Sequence, residues 1–150
     1  MTYLLLMQKF KNIAKMWTDF EKRPHNFGGQ KLYYSEMSML VIISKNPKIS
    51  ITNIAKLANM TKGTVSEIIK KIEKKGLIEK TQASDNASKL ALTLTKQGKE
   101  IIKIHDKIHE EIDMGFKKDL ENLSEEHIKI IEELFTKAEK FLIEMEKEET

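Results

Sequence analysis

Polar and cationic side chains between Thr61 and Lys71 have the spacing of one face of a helix, and apolar residues from Val65 to Ile72 form the opposite face. Amines suit phosphates, and hydroxyls or a carboxylate suit base edges. Gly63 in the first turn leaves room for close approach, and the backbone N–H groups there attract phosphate. The pattern therefore favours contact with a nucleic acid. The candidate residues are Thr61, Lys62, Gly63, Thr64, Ser66, Glu67, Lys70 and Lys71.

A shorter helix precedes this one and should help to position it. Ser50 is its predicted N-cap, Thr61 is the N-cap of the following helix, and Asn59-Met60 form the turn between them. The predicted inner face of the shorter helix is Ile54, Ala55, Leu57 and Ala58. Such a helix-turn-helix unit reads bases through the N-terminal residues of its second helix. Ser50 and Thr52 are further candidate contacts.

A β-hairpin is predicted directly after Gly76, where the second helix ends. Ile78 to Thr81 and the alternating run Leu90 to Leu94 form its strands, and a long polar tip covers Gln82 to Ser88. Polar side chains at such a tip can contact phosphates or the minor groove. The candidate residues are Thr81, Gln82, Ser84, Asn86, Ser88 and Lys89.

The remaining segments favour helices, so the predicted fold class is mainly α with a small β-hairpin wing. The predicted elements are a helix over 3–21, a loop over 25–30, a helix from a Ser35 N-cap to about Asn46, a long helix after Gly98 that weakens near Gly115, and a last helix capped by Ser124.

Composition excludes several classes of protein. The 150 residues are enough for one domain, and cysteine is absent, which removes disulfides, thiolate metal sites and a Cys nucleophile. No apolar run is long enough for a membrane span, and no nucleophile elbow or phosphate loop is present, so we expect a cytoplasmic protein that is not an enzyme. The net charge is +4 over residues 1–34, +5 over 35–95 and −6 over 96–150, which indicates that one end faces a polyanion.

The run ITNIAKLANMTKGTVSEIIKKIEKKGLIEK, followed by LTLTKQGKE, resembles the MarR family of winged helix-turn-helix transcriptional regulators. The resemblance implies a homodimeric repressor that binds a pseudo-palindromic operator in double-stranded DNA. Residues 35–95 would form the DNA-binding unit, and residues 1–34 and 96–150 the dimerisation helices. The alternative is a dimeric helical protein-interaction module that does not bind DNA.

The wing tip departs from the family's pattern. The family usually carries Asp-x-Arg there, with the Arg in the minor groove. Asp85 has no Arg partner in this chain, Ala87 and Ser88 occupy the candidate positions, and Lys89 is the nearby cation. We therefore expect weaker minor-groove readout and a larger, salt-dependent share of binding from lysine–phosphate contacts.

The resemblance also places a ligand pocket between the dimer helices and the winged unit. Apolar walls with a few polar groups suit a small apolar, aromatic or acyl ligand. No cofactor is expected. The candidate pocket residues are Trp17, Phe20, Tyr33, Tyr34, Met37, Ser38, Val41, Ile102 and His105.

His105 and His109 are four residues apart, a spacing that can hold zinc on one helical face. Zinc-sensing repressors and repressors of fatty-acid synthesis within the family show a similar pair, and the latter carry Glu-Met-His where this chain has Glu36-Met37-Ser38. The missing third imidazole argues against zinc, and packing of the pair is the alternative. Possible extra ligands are Glu36, Glu110, Asp106, Asp19, Glu21 and His25. Outside such a metal site, His25 and His127 are expected to be exposed and without a role.

Overall fold

The computed structural model describes residues 2–83, 86–112 and 115–148, with the backbone alone described between 82 and 90. The chain divides into two compact units, Met1–His109 and Glu110–Thr150. Its elements are α1 (Thr2–Glu21), β1 (His25–Phe27), β2 (Gln30–Leu32), α2 (Tyr34–Lys45), α3 (Ile51–Ala58), α4 (Lys62–Lys74), β3 (Ile78–Ala83), β4 (Asn86–Leu94), α5 (Lys96–Ile112), α6 (Phe116–Glu121) and α7 (Glu125–Glu148). The predicted mainly α fold with a hairpin wing is confirmed.

The core of the first unit lies where α2, α3 and α4 meet the base of the β3–β4 hairpin. Leu40 and Ile43 of α2 pack with Ile69 and Ile72 of α4, and all four side chains are fully or almost fully buried. Leu32, Ile101 and Ile102 extend this core beyond residues 35–95; the three come from β2 and the start of α5. None of the helices described here is long and apolar enough to cross a membrane.

The caps of α3 and α4 follow the sequence prediction. Ser50 Oγ accepts from Asn53 N–H at 3.3 Å, and Thr61 Oγ1 accepts from Thr64 N–H at 3.1 Å. Asn59 ends α3 in the left-handed conformation, which short polar residues tolerate. The prediction for Leu57 is wrong: its side chain is 61% exposed, because it falls beside the apolar stripe of α3.

Residues 25–30 were expected to form a loop, but they belong to a small β-hairpin. His25 pairs with Leu32 and Phe27 with Gln30, around a turn in which Gly28 and Gly29 both have positive φ. That backbone matches the twist of paired strands, and two glycines adopt it without a steric penalty. A Cβ on Gly28 would meet Ile104 Cδ1 at 2.6 Å, so this turn packs closely on α5.

The wing strands are longer than predicted. Ile78 pairs with Leu94 and the ladder continues to Ala83, which faces Asn86 after an irregularity at Gln82. Backbone pairing therefore replaces most of the long tip expected over 82–88, and the positions of Ser84 and Asp85 lie outside the described residues. At the base, Leu92 N–H donates to Ile49 O at 3.0 Å and joins the α2–α3 connection to β4.

The junction between the wing and α5 fixes α5 to the end of α4. Thr95 Oγ1 donates to Gly76 O at 2.7 Å and accepts from Gly98 N–H at 3.1 Å. Thr95 N–H also donates to Leu77 O at 3.1 Å. Gly98 lies directly against the Leu77 carbonyl, where a Cβ would overlap the oxygen. This junction explains the Gly76-Leu77 and Thr95-x-x-Gly98 spacing in physical terms.

Two helix starts differ from the prediction. The N-cap of α2 is Tyr33 rather than Ser35, because Glu36 reaches back to accept the Tyr33 N–H at 2.9 Å. In the second unit, a short helix α6 that the sequence pattern did not predict begins after Gly115, whose φ is +84°. The cap of α7 is as predicted, since Ser124 Oγ accepts from His127 N–H at 3.3 Å.

Candidate nucleic-acid interface

Helix α4 has one buried and one exposed face, as the sequence predicts. Val65, Ile69 and Ile72 have no exposed surface, and Ile68 is also buried. The opposite face is exposed except for Ser66, which is half-buried. The exposed candidate residues of this helix and its cap are Thr61, Lys62, Gly63, Thr64, Glu67, Lys70 and Lys71. The structure thus brings the predicted set together on one surface, which we call the α4 face.

The first turn of α4 is open to solvent. Thr61 and Thr64 hold it together, with their hydroxyl oxygens 2.9 Å apart. A Cβ on Gly63 would have Thr61 Oγ1 at 3.8 Å as its nearest neighbour, and Gly63 has no positive φ. The fold therefore does not require glycine at this position. The Thr64 N–H is taken by the Thr61 cap, and the N–H groups of Lys62 and Gly63 are the ones that can meet an anion.

The other predicted contacts lie on α3 and the wing. Ser50 and Thr52 are half-buried, and the Ser50 hydroxyl already caps α3. Thr81 is exposed, with its hydroxyl 3.5 Å from Ala91 O. Only the backbone is described for Gln82, Asn86, Ser88 and Lys89, and Ser84 lies outside the described residues, so the wing contacts remain predictions.

Two ion pairs hold the C-terminal end of α4, and sequence reasoning found neither. Glu73 binds Lys80 of β3 at 2.5 Å, which links α4 to the base of the wing. Lys75 binds both carboxylate oxygens of Glu36, at 2.8 and 2.7 Å, and so links α4 to α2. Glu36 is therefore fully engaged within the chain, and the idea that it supplies an extra zinc ligand is not supported. Glu36 and Lys75 are 39 residues apart, so no local sequence pattern predicts that they form an ion pair.

Three of the predicted pocket residues form an aromatic cluster. The Trp17 ring meets Tyr34 edge-on at 4.9 Å between centroids and lies 5.9 Å from Phe20. His25 joins the cluster by stacking on Phe20 at 3.8 Å, and its Nε2 is 2.9 Å from Phe20 O. The expectation of an exposed His25 without a role is wrong, because this half-buried ring anchors the end of α1 to β1.

The remaining pocket residues are spread over the core and its surface. Met37 and Ile102 belong to the buried core, Ser38 and Val41 are half-buried, and Tyr33 is exposed. A cavity of about 530 Å³ lies elsewhere, open to solvent between the end of α2 and α3, where it is lined by Asn46, Pro47, Lys48, Ile49, Asn53, Lys56 and Leu57.

His105 and His109 lie side by side, with their ring centroids 4.3 Å apart. His105 Nδ1 is 3.1 Å from Asp106 Oδ1, and its ring is 6.1 Å from that of Phe27. The i, i+4 pair predicted from the sequence thus has the proximity that a shared ligand needs. Across the part of the chain that the structure describes, no three His, Asp or Glu side chains form a group that could hold a metal ion.

The fold and the α4 face define a winged helix-turn-helix protein. Residues 32–87 match the model of the MarR family. The chain is 33% identical over 131 residues to the uncharacterized HTH-type transcriptional regulator YhjH of Bacillus subtilis, a match that covers 85% of this chain and 75% of the relative. The chain therefore belongs to the MarR family of transcriptional regulators.

Solved structures show the same fold. The crystal structure of Streptococcus pneumoniae FabT in complex with DNA has a TM-score of 0.62 and 23% identity, and the match covers 96% of each chain. The Adhesin competence repressor AdcR of Streptococcus pyogenes has a TM-score of 0.71 and 21% identity, over 91% of this chain and 97% of that one.

Proposed function

We propose that this MarR-family chain is a homodimeric transcriptional regulator that binds a pseudo-palindromic site in double-stranded DNA, most simply as a repressor. The observation that carries the proposal is the α4 face, where exposed amines and hydroxyls surround an open helix N-terminus. The fully apolar opposite face leaves the helix one orientation on the core. FabT, a structural neighbour, was crystallised with DNA, which agrees with this use of the fold. The place of action would be the cytoplasm, where bacterial DNA is found.

The proposed division of the chain assigns residues 35–95 to DNA binding, and 1–34 and 96–150 to dimerisation. Neither α1 nor α7 buries a single residue within the protomer. Both helices carry many exposed large apolar side chains, among them Leu5, Ile13, Leu134 and Phe141. Helices of 20 and 24 residues with such surfaces need a partner, because exposed apolar patches of this size mark an interface. A second copy of the chain supplies one.

Fluorescence anisotropy tests the proposal. The protein is titrated into a labelled duplex from the upstream region of its own gene and into a random duplex of equal length, each at two salt concentrations. The regulator should prefer the upstream duplex, and affinity should fall steeply with salt, since lysine–phosphate contacts release counterions. Low affinity that is the same for both duplexes would point to an architectural role. A well-folded dimer that binds neither duplex would overturn the proposal in favour of the protein-interaction module.

The proposed effector is a small aromatic or acyl molecule that meets the cluster of Trp17, Phe20, Tyr34 and His25. These rings present both stacking faces and polar edges, and α2, which carries Tyr34, also contacts α4. A ligand that binds one arrangement of the dimer more tightly shifts the spacing of the two α4 helices.

Zinc is the second candidate effector, supported by the adjacency of His105 and His109. A zinc response would need a further ligand beyond this pair. Repeating the anisotropy titration with zinc, for the wild type and His105→Ala, tests the zinc candidate. A zinc effect on DNA affinity that the wild type shows and His105→Ala lacks supports zinc as the effector. A wild-type titration that zinc does not change excludes it. No residue of the α4 face is assigned a catalytic task.

A further inference from the structure

Glu36 is the one charged residue that the fold buries among the side chains described, with only 3% of its surface exposed. Its carboxylate accepts from Lys75 Nζ at 2.8 and 2.7 Å and from Tyr33 N–H at 2.9 Å. Burying the Glu36 carboxylate is costly even with Lys75 beside it, whose side chain is 28% exposed, and apolar residues of similar volume often serve stability equally well. The pair therefore calls for a role other than stability alone.

Lys75 joins the C-terminal end of α4 to two other elements, α2 and β2. Lys75 is the C-cap of α4, Glu36 lies in the first turn of α2, and Lys31 of β2 offers its carbonyl to the same ammonium at 3.0 Å. A lysine ammonium has three N–H donors, and these three acceptors match that number. Lys75 is thus committed within the protomer, unlike the lysines of the α4 face, and its position fixes α4 against both α2 and β2.

We propose that Glu36 and Lys75 are a positioning pair that sets the angle of α4, so that sequence-specific DNA binding depends on their contact. The inference rests on the proposed function. The 13 residues of α4 make a lever about 20 Å long at about 1.5 Å per residue. A rotation of about 5° at the Lys75 end would move the first turn by roughly 1.7 Å over that length. Hydrogen bonds to base edges tolerate about 0.5 Å, whereas phosphate attraction by lysines tolerates far more.

The test uses Glu36→Gln, Lys75→Met and the double variant, with Ile43→Val as a control that disturbs the buried core of α2 without touching the pair. Glutamine keeps the shape of Glu36 and an oxygen for the Tyr33 N–H. The probes are a duplex selected by the wild type from a random pool and an unselected random duplex. Circular dichroism melts set a temperature at which every variant is folded.

We expect Glu36→Gln and Lys75→Met each to bind the selected duplex about tenfold more weakly, with unchanged affinity for the random duplex. The double variant should bind the selected duplex no more weakly than either single variant, because each substitution removes the same Glu36–Lys75 contact. Ile43→Val should bind like the wild type. The slope of log affinity against log salt should also stay unchanged, since Lys75 makes no phosphate contact in this arrangement.

Each contrary result has a distinct meaning. If the wild type selects no duplex, the proposed function fails and the positioning role fails with it. If the wild type selects a duplex and folded Glu36→Gln binds it equally well, the positioning role is overturned while the proposed function stands. A smaller salt slope for Lys75→Met would show that Lys75 contacts phosphate, which also overturns the inference. Should Lys75→Met fail to fold, Lys75→Gln replaces it.

Discussion

Replacing Gly98 by alanine should destabilise the protein far more than its single added methyl group suggests. The new Cβ would overlap the carbonyl oxygen of Leu77, lie 3.1 Å from the carbonyl carbon and lie 3.4 Å from Leu94 Cβ. The first two neighbours are backbone atoms, which cannot turn aside as a side-chain tip can. Helix α5 must therefore move away from the α4–β3 connection.

The magnitude follows from three contributions. Overpacking of this kind costs about 1–3 kcal/mol. A shift of α5 also strains the bonds of Thr95 Oγ1 to Gly98 N–H and Gly76 O, each worth about 1 kcal/mol. The better helix propensity of alanine returns about 1 kcal/mol. The expected net loss is about 2–4 kcal/mol, or roughly 6–12 °C in melting temperature for a chain of this length.

Thermal and urea unfolding followed by circular dichroism measure this loss, at one fixed protein concentration because a dimer's melting point depends on it. Gly63→Ala is the matched control: it makes the same change in the first turn of another helix, where the nearest neighbour of the new Cβ would be 3.8 Å away. That variant should gain about 0.5–1 kcal/mol. The close-contact reasoning would be refuted by a Gly98→Ala protein that melts with or above the wild type.

The same Gly63→Ala protein should bind its selected duplex more weakly despite its greater stability, because the methyl group occupies the approach to the open first turn; equal affinity in an anisotropy titration would show that DNA does not come close there. Lys70→Gln and Lys71→Gln should each lower the slope of log affinity against log salt by about 0.9 if each lysine contacts one phosphate, whereas Lys129→Gln on α7 should leave it unchanged. Leu134→Glu should convert the dimer to monomers in sedimentation experiments. Leu57→Glu changes a similarly exposed leucine outside the proposed dimer surface and should leave the dimer intact. If the Leu134→Glu protein is still a dimer, α7 is not part of the dimer interface.

Features encoded within a few residues could be predicted from the sequence. The caps Ser50, Thr61 and Ser124 depend on contacts within one turn, and the spacing of the apolar residues of α4 is enough to predict which of its faces is buried. The β1–β2 hairpin could also have been found, since Gly28-Gly29 is a common two-residue hairpin turn. The short strands around it hid the signal, because three residues show too little alternation.

Features that depend on distant parts of the chain could not be predicted. Tyr33 caps α2 because Glu36 turns inward to Lys75, and nothing near Glu36 in the sequence announces that lysine. Leu57 has the residue type of a core position, yet only the placement of α3 against α4 determines which side chains are covered.

Among the residues that the structure describes, three polar attachments of α4 to other elements lie at its C-terminal end. Lys75 binds Glu36 of α2, Glu73 binds Lys80 of the wing, and the turn after the helix is hydrogen-bonded to Thr95 at the start of α5. The opposite end carries the open first turn and points its exposed residues to solvent. Because α2 packs along α4 and is also joined to its C-terminal end, small displacements of α2 change the position of the exposed first turn. An effector that shifts α2 by a fraction of an ångström could therefore change DNA affinity without touching the α4 face.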